Sequence, residues 1–252
     1  MRRLLCSGLA VGVALWSCSA GAQATRTISE GQIKGELVLP AKTPAPGVFV
    51  LHTAFGRVNA PDIAMARALA AAGFVAFAPE YPLSTPPDNW VPAYLQWLKA
   101  RPEVAGQPLG AVGFSAGGSR VFAFAVNDPS VKAVVAYYGS YDYKNSPLVN
   151  LRRLPSGGPI ALADRINAAT LMFYGDRDTE STADQAERMK LALSARNVAV
   201  EVVGYPGAYH GFDRGPEAGS DRTTNGTIMA YDSKAAADAQ QRTIAWFKTW
   251  LK

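Results

Sequence analysis

The sequence predicts an α/β fold in which a mostly parallel central sheet carries helices on both faces. Short, continuously apolar runs of β-branched and aromatic residues alternate with longer helix-prone runs, the pattern of parallel strands joined by crossover helices. One such run, Leu109 to Phe114, leads straight into Gly113-Phe114-Ser115-Ala116-Gly117-Gly118 and then a breaker-free stretch that ends at Asn127-Asp128-Pro129. A strand therefore turns into a helix there with no loop between them.

In chain order, Thr27 to Pro40 places Ile28, Ile33, Leu37, Val38 and Leu39 around Glu30-Gly31, which reads as an antiparallel pair. Val48 to Leu51 is a strand buried on both faces, with His52-Thr53-Ala54-Phe55-Gly56 as the loop at its carboxyl end. Pro61 to Ala72 is helical, with Ile63, Met65 and Leu69 apolar, and Gly73 ends it. Phe74 to Pro79 is the next strand, followed by a proline-rich loop from Tyr81 to Pro87 and a helix from Trp90 to Lys99. After the helix that follows Ser115 come a strand at Val131 to Tyr138 and a long irregular segment, Ser140 to Asn167, of the length that loops and lids have. Thr170 to Tyr174 is a strand, and Thr179 to Ala195 is a helix with Met189, Leu191 and Leu193 inside. A last strand, Val198 to Val203, precedes a final helix at Ala235 to Leu251 that carries Ile244, Trp246, Phe247 and Trp250. With no second core and no linker, residues 25–252 read as one domain.

The first residues differ from the rest. Arg2-Arg3, the apolar run Leu4 to Leu15 and the small-x-small site Ala22-Gln23-Ala24 read as a secretory signal peptide over residues 1–24. Export across the inner membrane and a periplasmic location follow as expectations. A lipoprotein leader ending at Cys18 is the weaker reading, because Trp16 sits poorly in such a motif. Cleavage removes two arginines and no acid, lowering the formal charge from +5 to +3. No Lys/Arg-rich run interleaves with aromatics, so nucleic acid is not an expected partner, nor is a membrane after cleavage. Both cysteines, Cys6 and Cys18, lie in the leader, which excludes a cysteine nucleophile and a cysteine-ligated metal in the mature chain.

Gly113-x-Ser115-x-Gly117 has the form of a nucleophile elbow, in which a tight strand-to-helix corner projects a serine hydroxyl and a Cβ at either flanking glycine would collide across the turn. A serine hydroxyl needs a base. The mature chain offers His52, at a strand end, and His210, in the loop Ala208-Tyr209-His210-Gly211-Phe212 that follows the last strand. The imidazole in turn needs an acceptor to hold its tautomer, and Gly175-Asp176-Arg177-Asp178 leaves its strand at the same sheet edge. Asp178 is preferred over Asp176 because the acid usually lies three residues past the strand-terminating glycine. The order Ser115, Asp178, His210 is that of α/β-hydrolases. An oxyanion would take two backbone donors, Ala116 N–H and an N–H from the loop after the Val48 strand, at Ala54 or Thr53. Asp178 could instead merely cap the following helix, the weaker reading, and Tyr81, Trp90, Tyr141 and Tyr143 could line a pocket or fill the core.

The glycine-flanked Ser115, Tyr137-Tyr138-Gly139, Gly175-Asp-Arg-Asp178, Tyr209-His210-Gly-Phe212 and the alanine-rich run from Ala235 to Thr243 together resemble the dienelactone hydrolase family of α/β-hydrolases across nearly all of the mature chain. The resemblance implies a Ser115-His210-Asp178 triad, an oxyanion donor at Ala54, and no metal or organic cofactor. It also implies that Arg214, four residues past the histidine, binds a substrate carboxylate. Arg57, beside the oxyanion loop, is a second candidate from position alone. Two residues depart from the family pattern: Ser115 stands where the namesake enzymes have cysteine, and Thr53 where they have a glutamate that activates it. Dienelactone is thereby a doubtful substrate, and the expected activity is a serine-esterase cycle on a small ester or lactone, anionic if the arginines bind it. The alternatives are a peptidase or acyltransferase with the same triad, or a hydrolase-fold binding protein without catalysis.

Overall fold

The computed structural model describes residues 24–54, 56–143, 157–215, 222–224 and 226–252. The segment expected to be a leader lies outside these residues up to Gln23, as do Phe55 and positions 144–156 of the long segment expected to be a loop or lid.

Ten strands and five helices are described: β1 (Ala24–Glu30), β2 (Ile33–Leu39), β3 (Gly47–Leu51), α1 (Ala60–Ala71), β4 (Val75–Pro79), α2 (Val91–Lys99), β5 (Leu109–Phe114), α3 (Ala116–Asn127), β6 (Val131–Tyr137), β7 (Ala169–Gly175), α4 (Ala183–Ser194), β8 (Val200–Tyr205), β9 (Arg222–Thr224), β10 (Thr227–Met229) and α5 (Ser233–Trp250). Eight strands form one sheet in the order β1-β2-β4-β3-β5-β6-β7-β8. The pairs β1–β2 and β2–β4 are antiparallel, and from β4 to β8 the pairing is parallel.

The continuous apolar runs are explained by two cores, one on each face. Phe49 and Leu51 of β3 pack in the core that holds Tyr94, Leu95 and Leu98 of α2, Phe122 and Phe124 of α3, and Met189 and Leu193 of α4. Val48 and Val50 point the other way, toward Met65 and Leu69 of α1 and Ala239 and Phe247 of α5. Because strand side chains alternate between faces, a strand covered on both sides is apolar at every position.

Strand order reverses at the β3/β5 boundary. From β3 the chain crosses to β4 on one side, then returns past β3 to β5 and proceeds to β8 on the other. Loops leaving the carboxyl ends of β3 and β5 therefore diverge and leave a crevice between them, as open α/β sheets do at a switch point. The pairing of Leu51 with Gly113 sets the loop after β3 level with the β5–α3 corner.

Several boundaries differ from the sequence reading for local reasons. The helix expected from Thr179 begins at Ala183, because the Asp178 side chain accepts from the backbone N–H groups of Glu180 (2.8 Å) and Ser181 (3.0 Å) and holds them in a turn. Leu191, expected inside, is 67% exposed. Met189 and Leu193 are four apart and share the buried face of α4, whereas Leu191 is two from each and falls on the opposite side. The strand expected at Val198 to Val203 runs from Val200 to Tyr205, half exposed at the sheet edge. The β9–β10 hairpin was not anticipated, although Asn225-Gly226 between its strands is a hairpin-turn dipeptide.

The corner glycines are required by contact. A Cβ on Gly113 would lie 2.3 Å from Gly117 O, and one on Gly117 would lie 2.3 Å from Leu51 O and 2.7 Å from His52 O. These are backbone atoms of packed elements and cannot move aside cheaply. Gly117→Ala is expected to cost at least about 3 kcal/mol by urea unfolding. Gly31→Ala, whose Cβ would meet nothing within 4 Å but whose φ is +60°, is expected to cost only about 1 kcal/mol; equal losses would show that the close approach is not what demands glycine.

Candidate active site

Ser115 stands at the corner with φ 53° and ψ −113°, a left-handed backbone that a side-chain-bearing residue rarely adopts. Such strain costs about 1–3 kcal/mol and persists only where the surroundings enforce it. Here the Ser115 N–H donates to Tyr137 O (3.0 Å), and Ser115 O accepts from Ser119 N (3.1 Å), tying the corner to β6 and to the first turn of α3. The hydroxyl faces His210: Oγ lies 3.0 Å from Nε2.

His210 arrives on the loop after β8, and its Nδ1 lies 2.7 Å from Asp178 Oδ2. That loop and the acid loop are laced together. Gly175 lets them meet, since a Cβ there would be 2.3 Å from Ala208 O. Arg177 N–H donates to Ala208 O at 3.0 Å and Asp176 N–H to Tyr205 O at 3.1 Å. Asp176, the rival acid in the sequence, instead accepts from Gly207 N–H at 2.6 Å and braces the histidine loop. Asp178 uses its two oxygens separately: Oδ1 closes the turn to Glu180 and Ser181, and Oδ2 receives the imidazole. Ser115, His210 and Asp178 are all buried, with relative exposures of 7%, 3% and 5%. A hydroxyl, an imidazole and a carboxylate in that order can pass a proton from oxygen to nitrogen and stabilise the charge that results.

Ala116 opens α3, so its N–H is among the first-turn donors that have no intrahelical acceptor. Ala54 lies in the turn just past β3, half-buried. His52, one step earlier, is fully buried. Its ring stacks on Tyr81 at 4.0 Å and 14°, and Tyr81 stacks on Trp90 at 4.8 Å. The Tyr81 hydroxyl donates to His52 O at 2.5 Å, and His52 Nδ1 lies 2.7 Å from Thr53 O. Burial pushes the His52 pKa below the ordinary imidazole value, outweighing its contact with Thr53 O. His52 is thus placed as a neutral brace of the loop. Tyr81 and Trp90 prove to be core residues behind that loop, both about 3% exposed.

Arg214 is enclosed among partners on several elements. It is 3% exposed, with Nη1 paired to Asp62 Oδ1 at 2.6 Å and 3.3 Å from Asn59 Oδ1. Its Nε donates to Tyr138 Oη at 3.0 Å, and its Cζ lies 3.9 Å from the Phe114 ring centroid. Burial alone would lower its pKa, but Tyr138, Asp213 and Asp62 around it raise it, so the guanidinium is permanently charged. Sequence reading missed Asp62 and Tyr138 as its partners, because an acid in the first turn of α1 is an ordinary helix feature. Arg57 is exposed in the loop after β3. Among the described residues no group of three or more His, Cys, Asp or Glu is arranged to hold a metal ion.

The chain matches the Dienelactone hydrolase family model over residues 33–81 and 88–251. It is 29% identical to a protein of Escherichia coli named "Putative carboxymethylenebutenolidase", over 82% of this chain and 78% of that one. A protein of the same name from Methylorubrum extorquens is 28% identical, over 99% of this chain and 92% of the other. Among solved structures, one from Klebsiella pneumoniae described as a "Putative Dienelactone Hydrolase" superposes with a TM-score of 0.73 and 27% identity, covering 91% of this chain and 99% of that one. With the sheet order, the strand-to-helix corner and the family match in agreement, the chain belongs to the dienelactone hydrolase family and has the α/β-hydrolase fold.

Proposed function

We propose that this protein is a secreted serine hydrolase that cleaves a small carboxylic ester or lactone through Ser115, His210 and Asp178. The observation that carries the reading is the unbroken hydrogen-bonded run from Ser115 Oγ through His210 to Asp178. With Asp178 accepting the Nδ1 proton, the lone pair of Nε2 faces the serine hydroxyl, the tautomer that a general base requires. Ser115 Oγ then bonds to the substrate carbonyl carbon as its proton passes to Nε2. Negative charge collects on the former carbonyl oxygen and is held by the N–H groups of Ala116 and Ala54. The tetrahedral adduct collapses, the alkoxide leaves with the proton from His210, and an acyl-serine remains. For a lactone the alcohol stays tethered to the acyl group. Water then repeats the sequence: His210 takes its proton, hydroxide oxygen bonds to the acyl carbon, and Ser115 departs with the proton restored. The cycle needs no metal or organic cofactor.

Ser115 and Thr53 in place of the family's cysteine and glutamate favour this ordinary serine cycle. Arg57, exposed in the oxyanion-side loop, is a guanidinium available to an anionic part of the substrate. Periplasmic location rests on the leader in residues 1–24.

The decisive measurement is turnover of p-nitrophenyl acetate. Ser115→Ala and His210→Ala are each expected to lower kcat by roughly 10⁵-fold, with little change in KM. Wild type, but not Ser115→Ala, should label with a fluorophosphonate probe; a wild type inert to both sinks the reading and favours a binding protein. Asp178→Asn is expected to lower kcat by about 10⁴-fold, while Asp176→Asn, which alters a loop brace, should cost at most about 10-fold. Equal losses at the two positions would reassign the acid. Expressed in a bacterial host, the periplasmic fraction is expected to hold a chain whose mass corresponds to a start at Thr25; an uncleaved chain confined to the cytoplasm would contradict export.

A further inference from the structure

The Arg214 side chain connects elements that are distant in sequence but converge on the candidate active site. Its own loop carries His210. Through Nη1 it grips Asp62 Oδ1 at 2.6 Å, in the first turn of α1, and the oxyanion-side loop runs directly into that turn. The other oxygen of Asp62 accepts from Asn59 N–H at 3.0 Å, so this carboxylate fastens the end of the loop while holding the arginine. Through Nε, Arg214 reaches Tyr138 Oη at 3.0 Å. Tyr138 donates that hydroxyl to Asp213 Oδ1 and sets its ring edge-on to His210, with centroids 4.7 Å apart. Its backbone O accepts the Ser181 hydroxyl at 2.5 Å, at the end of the turn that begins at Asp178. Tyr138 itself sits at φ 39°, a left-handed conformation that this network maintains.

We propose that Arg214 is a positioning residue: with Asp62 and Tyr138 it clamps the histidine loop to the start of α1 and so holds His210 in register with the oxyanion-side loop. The proposal rests on the triad reading above, and it concerns the bonds made by Arg214 Nε and Nη1. Asp62 is 0% exposed and Arg214 3%, so the pair is held inside the protein. Its effect is exerted through His210 and the oxyanion donors, and therefore on kcat, for any ester.

The test compares p-nitrophenyl acetate with the carboxylate-bearing mono-p-nitrophenyl glutarate, using Arg214→Lys, Asp62→Asn and Tyr138→Phe. Concentrations are corrected for folded fraction by circular dichroism. Each variant is expected to lose about 10- to 100-fold in kcat on both esters alike, with KM within about twofold, as small misplacements of catalytic groups do. Arg214→Lys and Asp62→Asn should combine less than additively, because both break one contact. If a single substitution leaves a buried charge unpaired and the chain does not fold, the double variant Asp62→Asn/Arg214→Gln, which replaces the ion pair by a neutral hydrogen-bonding pair, gives the same reading. A rise in KM confined to the glutarate ester would overturn the proposal and return Arg214 to the substrate through Nη2, which is buried without an acceptor among the described residues. Unchanged kcat in folded variants would overturn it in favour of a purely structural pair. A wild type inert to both esters and to the fluorophosphonate probe would defeat the triad reading first, and this one with it.

Discussion

The site depends on one close approach: the backbone of α3 lies against the end of β3 with only a glycine hydrogen between Gly117 and the carbonyls of Leu51 and His52. That contact lets α3 leave β5 without a loop, which forces Ser115 into its left-handed corner and sets the first N–H groups of the helix beside the loop after β3. A larger residue would push the helix back and relax the corner. The serine geometry and the donor geometry are thus one constraint, imposed by backbone packing before any chemistry is considered.

Around that corner the protein commits buried polar groups where an apolar core would be simpler. Burying charge is costly unless each group is paired and hydrogen-bonded. Asp178 meets this with two backbone N–H donors and the imidazole, and Asp62 with Arg214 and the Asn59 N–H. Arg120 uses carbonyls instead: Nη1 donates to Ala116 O at 3.1 Å and Nη2 to Leu83 O at 2.9 Å, fastening the proline-rich loop to the first turn of α3. The loop after β3 is braced from the same side by the stacked His52, Tyr81 and Trp90 rings. The described parts of these loops are thus held to neighbouring elements by directional bonds, which suits a site whose groups must stay aligned within a fraction of an ångström.

The elements themselves were legible because their cause is local. Runs such as Val48 to Leu51 and Leu109 to Phe114 are apolar at every position since both faces are covered, and Gly113 is dictated by a turn within five residues, against Gly117 O. Ser115, His210 and Asp178 were legible for a related reason: each follows a recognisable strand end, and a parallel sheet brings those ends to one edge. Leu191 was misread because a hydrophobic residue two positions from its neighbours looks buried in composition and is exposed in helical phase.

What the sequence by itself determined is the order of strands and helices, the corner at Ser115 and the loops that carry Asp178 and His210, all consequences of local pattern and of strand polarity. Only the tertiary structure decided what the isolated polar residues do. Asp176 and Asp178 are two residues apart with the same side chain, and which one meets the imidazole depends on how the β7 and β8 loops lace together. Arg214 and Asp62 are separated by about 150 positions, and nothing in either neighbourhood announces the other. Long-range pairing of charges is a property of the folded packing, since it is the exclusion of water from both groups at once that makes them seek each other.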